Sequence, residues 1–323
     1  MKVEELAYHL RSEKYGFPYF RMLLEKNLFF NSPIRLDLEK RNSNTIVFNN
    51  SIADIFEIED EHFVDCYDAV INGEGDEKRK IHSLRSSSLL GLLTFYKVHS
   101  GYSIRLRKSI NGEMIDFIFN RVVFEKTNRV FHPSLGLSSV DVALYGTANG
   151  EQCVLYLESK FTEYLEGKDM TRKEKNHQVS YPISNKYAGY YHQLFRAFPG
   201  LDCSIEKGGI SLFSNDGKAH YCDGIKQMIS HYIGSKNSDD LFKGLKVYLG
   251  TILYDFSSYD CSVDSGGRVI QDYKSIYLEL AKRLNAFGVN GLTVIENAFT
   301  YQDIFNQIQG YSLDKSVKEY YQL

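Results

Sequence analysis

Tryptophan is absent from this chain, and cysteine is scarce: Cys66, Cys153, Cys203, Cys222 and Cys261 are scattered without a CxxC pair. Odd in number and irregular in spacing, they suit reduced thiols in a reducing compartment better than disulfides or a zinc site. His220 and Cys222 in "AHYCD" come nearest to a metal pair, but two ligands without a second pair do not close a tetrahedral site. No run of about 18 apolar residues occurs, so no membrane-spanning helix is expected. The opening "MKVEELAYHLRSEKYG" lacks the apolar centre of a signal peptide, and a cytoplasmic protein with no membrane partner is the expectation. An excess of positive charge is missing too. At a net charge of −3 the molecule is no polycation, and any contact with nucleic acid must be local.

What is present is an ordinary globular composition, 43% hydrophobic, in a chain long enough for one large domain or two modest ones. "SIADIFEIEDEHFVDCYDAV" spaces its acids as an amphipathic helix capped by Ser51 would. "INGEGDEKRK" reads as a loop, and "HSLRSSSLLGLLTFYKVH" as a helix. From about residue 114 the period becomes extended: "MIDFIFN", "RVVFEKTNRVF", "SSVDVALYG" and "EQCVLYLESKFTEYL" are strand-like runs separated by turn chemistry. A polar, basic loop (167–185), a helical piece "YAGYYHQLFRAF" and a glycine-rich turn follow. "DGIKQMISHYIG" then reads as a helix, "LKVYLGTILYDF" as an apolar strand and "DYKSIYLELAKRLNAFG" as a helix ended by Gly288, before a last strand and a helical tail. This order implies an α/β architecture with a mixed sheet. Three basic stretches stand out: "EKRKIHSLR" (77–85), "SIRLRKS" (103–109) and "KDMTRKEKNHQ" (168–178), each of which could equally be a solvated surface.

One run resists a purely structural reading. "LYLESKFTEYL" alternates like a buried strand yet sets Glu158 and Lys160 on one face. The turn before it is "TANGEQ", and Asn-Gly between alternating runs signals a type I′ hairpin, because that turn needs positive φ at both central residues. Counting outward from Asn149 and Gly150 sets Ala148 opposite Glu151, Tyr145 opposite Val154, Ala143 opposite Tyr156 and Asp141 opposite Glu158. Two facing carboxylates repel unless something positive lies between them. A divalent cation would fill that role. Asp141 and Glu158 offer hard oxygens of the kind Mg²⁺ accepts alongside water and phosphate, and Lys160 would sit beside the ion.

An aspartate on one strand of a hairpin followed by Glu158-Ser159-Lys160 on the next resembles the PD-(D/E)xK nuclease superfamily, that of many restriction endonucleases. Ser139 and Val140 stand where a proline often lies. The words "SLRSSSLLGLLTFY", "VDVALYG" and "YLESKFTEY" are similar to a branch described as restriction endonucleases, whose strand continues as Phe161, Thr162 and Glu163 do here. The resemblance implies a restriction-endonuclease-like α-β-β-β-α-β core over residues 73–265, its mixed central sheet flanked by helices. Around it would lie an N-terminal mixed helical region (1–72) and a C-terminal helix-strand-helix extension (266–323) packed on the core. It further implies a Mg²⁺-dependent endodeoxyribonuclease, with Mn²⁺ as substitute and with restriction or phage defence as its setting. Metal would be held by Asp141, Glu158 and the Ser159 carbonyl, with Lys160 assisting an attacking water. Related nucleases add an acid, for which Glu77 and Glu125 compete, and a glutamine, for which Gln227 and Gln193 compete. Duplex DNA, rather than RNA, would be the partner, touched by Lys168, Arg172, Lys173 and Lys175 and by the tyrosines at 187, 190 and 191; a homodimer is the assembly to test.

Two other readings compete. A nuclease-fold subunit could bind nucleic acid or a partner protein without cutting. Two carboxylates also serve glycosidases at separations of about 5 to 9 Å, but the adjacent lysine and the lack of tryptophan for sugar stacking speak against that.

Overall fold

Turn chemistry lays down the first half of the sheet. Asn111 and Gly112 (φ 52° and 83°) close a hairpin between Ile104–Ile110 and Glu113–Arg129, and Asn149 and Gly150 (φ 49° and 87°) close another between Leu137–Ala148 and Glu151–Lys160. The computed structural model describes residues 34–37, 45–48, 51–73, 81–82, 86–99, 102–130, 137–161, 191–192, 195–196, 199–206, 209–213, 219–221, 223–255, 266–307 and 314–321. Its strands are β1 (Ile34–Asp37), β2 (Thr45–Phe48), β3 (Ile104–Ile110), β4 (Glu113–Arg129), β5 (Leu137–Ala148), β6 (Glu151–Lys160), β7 (Cys203–Glu206), β8 (Gly209–Phe213), β9 (Ala219–Tyr221), β10 (Lys246–Leu253), β11 (Leu292–Val294) and β12 (Phe299–Thr300). Its helices are α1 (Ile52–Ile55), α2 (Glu61–Ile71), α3 (Ser87–Phe95), α4 (Asp223–Lys236), α5 (Asp239–Phe242), α6 (Gly266–Asn285), α7 (Tyr301–Gln307) and α8 (Lys315–Tyr321).

The architecture is α/β. A seven-stranded mixed sheet runs in the order β11-β10-β6-β5-β4-β3, with β12 also paired to β10; β3 to β6 are antiparallel neighbours, and β10 lies parallel to β6, β11 and β12. Strands β7 to β9 form a separate small sheet, in the stretch read from sequence as a glycine-rich turn. The main sheet curls far enough for Lys108 of β3 to donate to the Ala298 carbonyl and lie over the Phe299 ring beside β12. Its concave side holds an inner core of Leu89, Leu92 and Phe95 from α3 with Phe117, Phe119, Val142, Leu155 and Leu157. The opposite side packs α4 and α6 on an outer core containing Ala143, Tyr145, Val154 and Tyr156. Helix α4 buries Ile225, Met228, Ile229, Tyr232 and Ile233, one apolar stripe at helical spacing.

Several sequence expectations are revised. The runs that begin at residues 114 and 121 are joined in one long strand, β4, which ends at Arg129 and whose register shifts between Phe119 and Arg121; there β5 comes so close that a Cβ on Gly146 would lie 1.9 Å from the Ile118 carbonyl. The basic stretch 103–109 is largely strand β3. Two of its three cations have partners within the chain: exposed Arg107 pairs with Asp116 at 2.5 Å, and Lys108 turns inward, burial lowering its ammonium. The helix over residues 51–70 is two helices, because Glu57 takes a left-handed φ of 52° that ends α1; Asp60, not Ser51, caps α2 by accepting the His62 amide. The C-terminal stretch adds β11 and β12 to the main sheet. Free thiols Cys66, Cys153 and Cys203 are each pushed up to about 12, chiefly by burial. Among the described residues no helix is long and apolar enough to cross a membrane.

Below the outer face, Asp240 accepts hydroxyls from Tyr145 (2.8 Å) and Tyr156 (2.5 Å) and lies 3.8 Å from the Lys126 ammonium. It ties α5, and so the entry to β10, to the β5–β6 hairpin. Asp240→Ala takes the shared acceptor from two buried hydroxyls, and a loss of about 2 to 3 kcal/mol in urea unfolding is expected; a variant as stable as wild type would show that the tie does not matter.

Candidate functional site

Strands β5 and β6 separate at their open end, and the polar residues gather there. Their ladder pairs Ala148 with Glu151, Tyr145 with Val154, Ala143 with Tyr156 and Leu144 with Leu155, as the turn dictates, and stops at Val142 and Leu157. One step beyond, where Asp141 would face Glu158, the Asp141 side chain replaces the ladder: its Oδ2 accepts the Ser159 amide at 2.5 Å. Asp141 also marks a break in alternation. Val140 and Ala143 both join the outer core, whereas Val142 joins the inner one. In β4 Glu125 lies between Phe124 and Lys126, the partners of Val142 and Val140; it holds a positive φ of 49° and accepts the Ser139 hydroxyl at 3.0 Å. Three carboxylates thus stand on three adjacent strands.

Glu158 and Lys160 are buried, 7% and 8% exposed, so each must find partners inside the protein. Lys160 Nζ donates to Glu158 Oε1 at 2.6 Å and to Gln227 Oε1 at 2.8 Å. Gln227 Nε2 donates back to Glu158 Oε1 at 2.8 Å, and His231 Nε2 lies 2.8 Å from Glu158 Oε2. Gln227 and His231 come from α4, four residues apart, which sets both on one helix face beside the apolar stripe. His231 Nδ1 lies 2.5 Å from the Ser138 hydroxyl. On the other side of β6, the Ser159 hydroxyl donates to the Ser87 carbonyl (2.8 Å) and bonds the Tyr301 hydroxyl (2.6 Å), tying the strand to α3 and α7.

The two acids of the hairpin are driven apart. Burial pushes the Asp141 carboxyl well above the ordinary aspartate range, and neighbouring Glu158 and Glu125 push the same way, only partly offset by Lys160 and the Ser159 amide. Burial alone would raise Glu158 as well, but the charges and hydrogen bonds of Lys160 and His231 outweigh it and bring Glu158 down to about 2. Asp141 is the electrostatically strained member, and a cation beside it would relieve that strain.

The donors fit a hard divalent ion. Asp141 spends Oδ2 on Ser159 and, among the described residues, keeps Oδ1. In an extended strand the amide and carbonyl of one residue turn to the same side, so the Ser159 carbonyl faces the same gap. Three of about four acceptor positions on Glu158 are taken, by Lys160, Gln227 and His231, which leaves one. Among the described residues no group of three or more His, Cys, Asp or Glu side chains is arranged to hold a metal. Mg²⁺, which keeps several waters and needs only one or two carboxylates, does not require such a group.

Of the residues nominated from sequence, the structure brings together Asp141, Glu158, Ser159, Lys160 and Gln227, with Glu125 at the edge. Glu77, Lys168, Arg172, Lys173, Lys175, Gln193, Tyr187, Tyr190 and Cys222 lie outside the described residues. Tyr191 is corrected: it is 3% exposed, packs in the outer core and shares a hydrogen bond with Ser230, so its ring is not free to stack on a base. Sequence reading passed over His231 and Ser138; the signal for the former was its spacing of four from Gln227. Ser138, His231 and Glu158 have the residue types of a hydrolytic triad, but Ser138 is 5% exposed and packed under Gly234, where a Cβ would lie 3.3 Å from its own. Comparison with protein-family models, curated proteins and solved structures finds no match to this chain.

Proposed function

We propose that the protein is a metal-dependent nuclease that hydrolyses DNA phosphodiester bonds, with a restriction-endonuclease-like core made of α3, β4, β5, β6, α4 and β10. The observation that carries this reading is the meeting of Asp141, Glu158 and Lys160 at the open end of one hairpin, with Asp141 bonded to the backbone between the other two. Asp141 Oδ1, the Ser159 carbonyl and the remaining acceptor position of Glu158 would hold Mg²⁺, or Mn²⁺ in its place. Bound there, the ion would supply charge neutralisation at the phosphate and a more acidic water. Lys160 would orient that water and offset developing charge, and Gln227 holds its ammonium in place. A role in restriction or phage defence, and a homodimeric assembly, belong to the same proposal.

A second reading has its own support. Glu158, Lys160, Gln227 and His231 satisfy one another without a metal, as they would in a nuclease-fold subunit that binds nucleic acid or a partner protein without cutting it. Plasmid, linear duplex and single-stranded DNA incubated with Mg²⁺, Mn²⁺ or EDTA separate the two, beside Lys160→Ala. The nuclease reading expects cutting that needs metal and vanishes in the variant. Cutting in EDTA, or unchanged in the variant, would sink it, and tight binding without cutting would favour the second.

A further inference from the structure

We propose that His231 is a positioning residue of this site: it holds Glu158 through Oε2, and Ser138 braces the ring from its other nitrogen. The inference rests on the nuclease reading and assigns a role to residues that the hairpin motif does not contain.

Each oxygen of Glu158 is gripped separately. Lys160 and Gln227 share Oε1, and both would still leave the carboxylate free to swing about that anchor. Among the described residues His231 alone takes Oε2, at 2.8 Å. The grip comes from one face of one helix, since Gln227 and His231 are a turn apart on α4. Helix α4 can reach so far because it lies hard against the sheet here: a Cβ on Gly234 would be 3.1 Å from that of Asn128 on β4 and 3.3 Å from that of Ser138 on β5.

Tautomer follows from the partners. Glu158 is acceptor only when ionised, so His231 Nε2 must carry the proton that bonds it. The other ring nitrogen, Nδ1, lies 2.5 Å from the Ser138 hydroxyl, which can act as donor or acceptor and so anchors the ring from its far side. Serine 138 and His231 are each 5% exposed, too buried to serve as solvent-facing polar groups. A core histidine needs only to be satisfied. This one spends its donor on the second oxygen of the very carboxylate that the proposed chemistry requires in a fixed orientation.

His231→Ala, His231→Gln and Ser138→Ala test this against wild type and Lys160→Ala. Three quantities are measured: plasmid cleavage as kcat and KM for DNA, Mn²⁺ affinity by calorimetry without DNA, and thermal midpoint. His231→Ala is expected to lose about 10 to 100-fold in kcat and in Mn²⁺ affinity, with KM for DNA within about twofold. Gln at 231 restores a donor at similar reach and recovers most of both; Ser138→Ala falls between. If His231→Ala keeps wild-type kcat and Mn²⁺ affinity, or if the glutamine variant is as impaired as the alanine one, the proposal is overturned while the nuclease reading stands, provided Lys160→Ala is dead. A wild-type protein that neither cuts DNA nor binds Mn²⁺ overturns both.

Discussion

Asp141→Asn is expected to abolish cleavage and yet to raise the melting temperature of the metal-free protein at neutral pH. Both effects follow from the position of Asp141, buried beside Glu158 and Glu125 with its carboxyl held well above the ordinary range. A carboxyl whose folded value exceeds its unfolded one, about 3.9, favours folding when neutral. That contribution is complete below the unfolded value and is lost as pH rises through the folded one. At neutral pH, above the unfolded value, the raised carboxyl therefore opposes folding. Asparagine never ionises, and its carbonyl can still accept the Ser159 amide, so the variant is relieved of the repulsion without losing the bond. The gain should shrink as pH falls towards 4, where wild-type Asp141 is neutral too. Metal reverses the comparison: Mg²⁺ or Mn²⁺ should raise the wild-type midpoint at pH 7.5 and leave Asp141→Asn unmoved. Loss of cleavage should be about 10²-fold or more, the scale of removing one stabilising group from a reacting centre. A variant that melts below wild type in EDTA at neutral pH would show that Asp141 is not strained.

Lys160→Ala should be the most destabilising single change at the site. It removes the cation 2.6 Å from a buried carboxylate and leaves Glu158, among the described residues, with Gln227 and His231. Breaking one side of a buried ion pair costs about 3 to 5 kcal/mol, and the two remaining partners put this case near the lower figure. The pair as a whole is a different matter, since two charges removed together leave nothing unpaired. Glu158→Gln combined with Lys160→Met should recover most of that loss in urea unfolding while remaining inactive, because the neutral amide still meets Gln227 and His231 and the methionine fills the stem of the lysine. A double variant as unstable as the single one would mean that the pair holds the fold together rather than serving chemistry. Acid should act in the opposite sense to its effect on Asp141. Glu158, held down at about 2, gives its full contribution above the unfolded value and loses it as pH falls towards that figure.

How much of this was legible beforehand depends on how local each cause is. The Asn149–Gly150 turn requires positive φ at two adjacent residues, and that requirement sets the pairing of every residue up to Val142 and Leu157. Asp141, Glu158, Ser159 and Lys160 could be named together because all lie within a few pleats of one turn. The same signal at Asn111–Gly112 was harder to read, because Arg105, Arg107 and Lys108 make a charged run of the strand in which Ile104, Leu106 and Ile110 face the core.

Non-local contacts were out of reach. Whether Gln227 or Gln193 meets Lys160 depends on where α4 lands on the sheet, and that follows from an apolar stripe which packs against any suitable surface and names no partner. Glu125 became the acid beside Asp141 only when β4 paired with β5 in a register that no short turn connects. His231 acquired a role only through Ser138 and Glu158, 93 and 73 residues away in the chain. By itself the chain determined the hairpin, its register and the three residues at its open end, because backbone sterics at two turn residues act over a few neighbours. Which groups close around those residues, and how far each carboxyl is driven from its ordinary range, was decided by tertiary packing, because burial and charge act between segments that only the folded structure brings together.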